Sequence, residues 1–108
     1  MDLSAQRNAI RDLCRRYRVE RLYLFGSAAN GERFKSERSD LDFLVTLEDR
    51  PAVEYAENYL GLARGFEQLF DRAVDLVTES SIRNRYFREA IEAQRQLVYD
   101  RRDEKAPA

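Results

Sequence analysis

No histidine occurs anywhere in the 108 residues. That absence removes imidazole general bases, Ser-His-Asp and Cys-His nucleophile systems and His-ligated zinc together, so any catalysis falls to carboxylates. Cysteine appears once, at Cys14, which has no partner for an internal disulfide and sits on an apolar helix face where a free thiol acts as a small core residue. An excess of either charge is also missing. With 19 basic and 20 acidic side chains the net charge is -1, which argues against coating nucleic acid by bulk electrostatics, and no stable nucleic-acid binding is expected. No apolar run approaches the roughly 20 residues that cross a bilayer. The N-terminal stretch, with Asp2 and Arg7, lacks the apolar core of a signal peptide. No membrane association and a cytoplasmic location are the expectation.

What is present is a globular composition, 44% apolar and 36% charged, hence a folded chain with a heavily charged surface. The length suits one domain, expected over residues 1–100, so that any further lobe would come from another chain. Residues 101–108, charged and then small, are expected to fray. Ile10, Leu13, Cys14 and Tyr17 recur at helical spacing, which predicts a helix over residues 4–18 capped by Ser4. Residues 21–25 and 41–47 read as strands. Pro51 opens a long helix with a stripe of Val53, Ala56, Leu60, Ala63, Phe66 and Phe70, in which Gly61 and Gly65 either permit close packing against the sheet or are a tolerated cost. Residues 73–77 form a third strand. Ser80 or Ser81 would cap a helix bearing Ile82, Tyr86, Ala90 and Ala93, and Leu97 to Tyr99 end it or add a last strand. This order predicts an α/β (α+β) fold, with a small three- to four-stranded mixed sheet and helices packed mainly on one face.

Asp40 and Asp42 stand two apart at the start of a strand, so both carboxylates project to one side while Leu41, Phe43 and Val45 point to the other. Two oxygen ligands side by side suit Mg²⁺, which takes a few carboxylates plus water and phosphate oxygens. An Asp-x-Asp pair alone carries little weight, since charged surface strands produce it by chance. Upstream, however, the strand 21–25 runs into Gly26-Ser27 and a small polar run, a turn that offers backbone N–H groups and a hydroxyl to an anion. Asp75 lies in the apolar run Ala73-Val74-Asp75-Leu76-Val77, where an unpaired charge would be costly. It needs a partner, either a neighbouring Arg or a metal shared with the pair. Arg83, Arg85 and Arg88, near Tyr86 and Phe87, form a cluster suited to partner or nucleotide contact. Most other Arg residues read as solvated ion pairs.

Leu24-Phe25-Gly26-Ser27-Ala28-Ala29-Asn30-Gly31 followed by Ser39-Asp40-Leu41-Asp42-Phe43-Leu44-Val45 resembles the signature of the polymerase-β-type nucleotidyltransferase superfamily, in its minimal nucleotidyltransferase branch. Val74-Asp75-Leu76-Val77 resembles that family's third-carboxylate strand, so the likeness covers nearly the whole chain. The resemblance implies a polymerase-β-like core in which Asp40, Asp42 and Asp75 hold two Mg²⁺ ions roughly 4 Å apart. Gly26 and Ser27 would hold the ATP phosphates. It also implies AMP transfer to a hydroxyl of another macromolecule, as in antitoxins that pair with a HEPN-type ribonuclease toxin and silence it by adenylylation.

Two departures from the family pattern matter. Asn30 stands where an Arg is usual, which leaves that residue's contacts to Arg33, Lys35 or Arg38, and the connection from Ser27 to Asp40 is slightly longer than in the shortest members. Two rival readings follow: an antitoxin that acts by binding alone with a degenerate metal site, and a small-molecule, antibiotic-type nucleotidyltransferase.

Overall fold

The computed structural model describes residues 3–26 and 40–104. After a 3₁₀ turn at Ser4–Gln6, helix α1 (Arg7–Arg16) buries Ile10 and Cys14 and rests Leu13 and Tyr17 on the core. Ser4 is not the cap that was expected. It lies inside the 3₁₀ turn, because the Gln6 amide bonds the Leu3 carbonyl and starts the coil earlier. Arg18, at φ 63°, breaks the helix and feeds strand β1 (Val19–Phe25). Strand β2 (Leu41–Leu47) falls on its predicted residues.

Helix α2 (Ala52–Phe70) starts behind Pro51 and stops where Asp71 turns left-handed. Its buried stripe is Leu62, Phe66 and Phe70, with Tyr55, Tyr59, Ala63 and Leu69 packed beside it. The predicted stripe is therefore mis-phased in its first half, since Val53 is 74% and Leu60 51% exposed. The tyrosines take those places, burying ring while keeping a hydroxyl for a polar partner. Gly61 and Gly65 face α1 and not the sheet. A Cβ on Gly65 would lie 2.7 Å from Leu13 Cδ2, and one on Gly61 would run into the Tyr17 ring, so the missing side chains are what let the two helices approach.

Strand β3 (Val74–Thr78) leads through a 3₁₀ turn at Glu79–Ser81 to helix α3 (Arg85–Gln94), then to strand β4 (Gln96–Asp100). The cap of α3 is Asn84, not Ser80 or Ser81. Its Oδ1 accepts from the amides of Tyr86 at 2.8 Å and Phe87 at 3.1 Å, whereas the serines are spent in the preceding turn. Asn84→Ala is expected to lower the unfolding free energy by about 0.5–2 kcal/mol, read by urea denaturation. An unchanged midpoint would mean that the cap bond is not formed in solution. The tail does not fray at once: residues 101–104 make a 3₁₀ turn, in which Arg101 reaches Glu48 at 2.6 Å and Glu20 at 3.3 Å. Arg102 clasps the buried Asp100 and holds its carboxyl down at about 2, chiefly through side-chain hydrogen bonding.

The sheet order is β3-β2-β1-β4, with β1 antiparallel to both β2 and β4, and β2 parallel to β3. This mixed four-stranded sheet is the expected architecture. One face carries Leu22, Leu24, Leu41, Phe43, Val45 and Leu76 against α1 and α2, with the Phe43 ring 5.0 Å from Phe66. The other face carries a smaller cluster of Phe25, Leu44, Ile82 and Ile91, beneath α3. Period-two alternation puts Asp42 on that second, thinly covered face, beside Leu44.

Candidate active site

Three strand ends meet at one edge of the sheet. β1 finishes there, and Phe25 is the Cα partner of Asp42 across the antiparallel pair. β2 and β3 both begin there, and their parallel register sets Asp42 directly opposite Asp75. Residues paired in this way project to the same face, so two carboxylates from non-adjacent segments stand side by side. Asp40, exposed, immediately precedes β2.

Gly26 closes β1 with φ +76°, a conformation costly to any residue with a Cβ. A Cβ at this position would also fall on Asp42 Oδ2. The glycine thus does two things: it turns the chain at the sheet edge, and it lets bare backbone lie against the central carboxylate. Ser27, Asn30, Arg33, Lys35 and Arg38 lie outside the described residues.

The electrostatics agree with this convergence. The Asp42 carboxyl is raised above its ordinary range, first by burial, then by the negative charge of Asp75, then by that of Asp40. Gathered carboxylates without compensation are what a divalent cation relieves. The donor set is all hard oxygen, which fits Mg²⁺. Among the described residues, no three acidic or thiol side chains close around a single point. The structure shows the Asp42–Asp75 pair, with Asp40 near enough to act on Asp42 through its field. A cavity of about 470 Å³ lies elsewhere, between α1 and β4, and holds none of the three aspartates.

Asp75 requires a correction. The sequence suggested a buried charge in an apolar strand, but β3 is an edge strand and only its Leu76 is buried. Asp75 is exposed, so its register with Asp42 is the informative feature, not a burial penalty.

Two further residues escape sequence reasoning. The Tyr59 hydroxyl donates to the Leu76 carbonyl, tying α2 to the edge strand beside Asp75, and the phenol is pushed up by burial and then by the Asp75 charge. Glu79 accepts from Thr46 Oγ1 and lies 3.5 Å from Arg21 Nη2, so it is held below its ordinary range, chiefly by the Thr46 bond. Thr46 is at the far end of β2 from Asp42. Glu79 is therefore a structural carboxylate on the same face as the site.

Comparison with known proteins falls on the same residues. The family model described as a nucleotidyltransferase domain matches residues 7–98. An inferred protein adenylyltransferase of Methanocaldococcus jannaschii is 37% identical over 84 residues, 78% of this chain and 79% of its own. The structure of an inferred minimal nucleotidyltransferase superposes with a TM-score of 0.63 at 37% identity, over 89% of this chain and 95% of that one. A toxin-antitoxin crystal structure with AMP-PNP superposes with a TM-score of 0.65 at 25% identity, over 91% of this chain and 77% of that one. The match spans the strands that carry Gly26, Asp42 and Asp75: the chain belongs to the nucleotidyltransferase domain family, and its chemistry is nucleotidyl transfer.

Proposed function

We propose that the protein transfers AMP from ATP to a hydroxyl of a partner protein, that the partner is a HEPN-type ribonuclease toxin silenced by the modification, and that the pair acts in the cytoplasm. The observation that carries this reading is the register of Asp42 with Asp75 beside the bare backbone of Gly26. Among the described residues no helix is long and apolar enough to cross a membrane. The likeness to a toxin-antitoxin pair holding AMP-PNP supports both the nucleotide and the kind of partner.

Asp40, Asp42 and Asp75 would hold two Mg²⁺ ions, which supply charge neutralisation at the triphosphate and a lowered pKa at the attacking hydroxyl. The Gly26 backbone and the Ser27 hydroxyl would orient the β- and γ-phosphates in line with attack. The acceptor oxygen forms a bond to the α-phosphorus, the bond from that phosphorus to the pyrophosphate oxygen breaks, and pyrophosphate leaves. Asp75, exposed at the sheet edge, would take the hydroxyl proton.

The test is label transfer from α-³²P-ATP with Mg²⁺ to the protein encoded beside this chain, compared with the Asp40→Ala, Asp42→Ala double variant. Label on the partner that vanishes in the variant supports the reading. A stable complex without label would favour the second reading, inhibition by contact alone, for which Asn30 in place of the family's usual Arg is the motivating residue.

A further inference from the structure

Two adjacent aromatic side chains stand out on α3. Tyr86 is 71% and Phe87 46% exposed. Adjacent exposed rings of this size mark contact surfaces more often than idle ones. Asn84 fixes where the helix starts, and so fixes both rings in its first turn. The inner edge of Phe87 meets Phe25 edge-to-face, centroids 6.3 Å apart. Phe25 is the Cα partner of Asp42 and the neighbour of Gly26, so the exposed surface begins one ring away from the carboxylates.

Two cations flank these rings. Arg83 and Arg85 are exposed and, among the described residues, neither is in an ion pair; the Arg85 guanidinium lies over the Tyr86 ring at 5.4 Å. Arg88, by contrast, is spent on the carbonyls of Glu79 and Ile82. The N-terminal end of α3 adds its own partial positive charge.

We propose that the Tyr86–Phe87 face, flanked by Arg83 and Arg85, is the surface on which the acceptor protein docks, and that it selects an acidic segment carrying the acceptor hydroxyl. This rests on the reading that the acceptor is a protein. Single-stranded nucleic acid also stacks on rings between arginines, but its affinity grows with the number of phosphates neutralised, and among the described residues this face supplies two cations outside ion pairs.

The test measures binding and needs no catalysis. Fluorescein-labelled poly(Glu,Tyr), poly(Lys,Tyr) and a dT oligonucleotide are titrated with the full chain at low salt, and anisotropy gives each Kd. Poly(Glu,Tyr) is expected to bind at least tenfold more tightly than the other two. Arg83→Glu with Arg85→Glu should invert the preference between the polypeptides, and Tyr86→Ser should weaken poly(Glu,Tyr) about tenfold, with Tm and ATP affinity unchanged in both. Variants that bind like the parent, a parent without preference, or a parent that prefers the oligonucleotide would each overturn the proposal. Failure of the adenylylation reading shows separately, as absence of label in the ATP experiment.

Discussion

Asp42→Asn is expected to abolish nucleotidyl transfer, by a factor on the order of 10³, and at the same time to stabilise the metal-free chain. The first effect follows from position: Asp42 is the carboxylate that faces both Asp75 and the Gly26 backbone, and the amide keeps its shape but not its charge. The second follows from the direction of its pKa. The folded-state value lies above the ordinary 3.8, so folding disfavours the ionised form. Stability present below the ordinary value is lost as pH rises through the raised one, and at neutral pH the full cost is carried. Removing the charge removes that cost. Each kcal/mol moves the midpoint of a domain this size by about 4–8 °C, so even half of that registers in a thermal melt. The gain should shrink as the pH is lowered, since the parent then loses its charge too. A variant that is inactive but no more stable at pH 7 than the parent would refute the account of the electrostatics, though not of the chemistry.

Gly26→Ala should lower both stability and turnover. An alanine at φ +76° costs about 1–2 kcal/mol from backbone sterics alone. Its methyl group would also displace the Asp42 carboxylate, and a misplacement of about 1 Å in a reacting group can cost on the order of 10²-fold in rate. Gly65→Ala is the control. Its methyl group meets Leu13 on the helix face of the sheet, so it should reduce the midpoint yet leave the rate intact below it. Equal activity in the Gly26→Ala and parent proteins, assayed at the same folded fraction, would mean that the backbone does not lie against Asp42 as described.

Features written in short-range pattern were legible in the sequence. Alternation over 41–47 gave the strand and the face of Asp42, and the glycine after an apolar run gave the turn at Gly26. Features that depend on which strand lies beside which were not. Asp75 looked buried because its neighbours are apolar, whereas an edge position exposes it, and edge or centre is decided by the whole sheet. The phase of α2 is not legible because Val53 and Leu60 are more apolar than Tyr55 and Tyr59, yet the Tyr59 hydroxyl has the Leu76 carbonyl to reach and the aliphatic residues have no such group. Ser80, Ser81 and Asn84 can each cap a helix, and only the intervening 3₁₀ turn decides for Asn84.

The chain leaves the sheet at Gly26 and returns at Asp40 on the same edge, with Asp42 and Asp75 fixed by ladder pairing and not by the segment that joins these two points. Length in that segment is thus uncoupled from the register of Asp42 with Asp75. Doubling such a connection costs only about 0.6 kcal/mol in closure entropy. Insertion or deletion there leaves that register intact, a modular freedom that no strand of this sheet possesses.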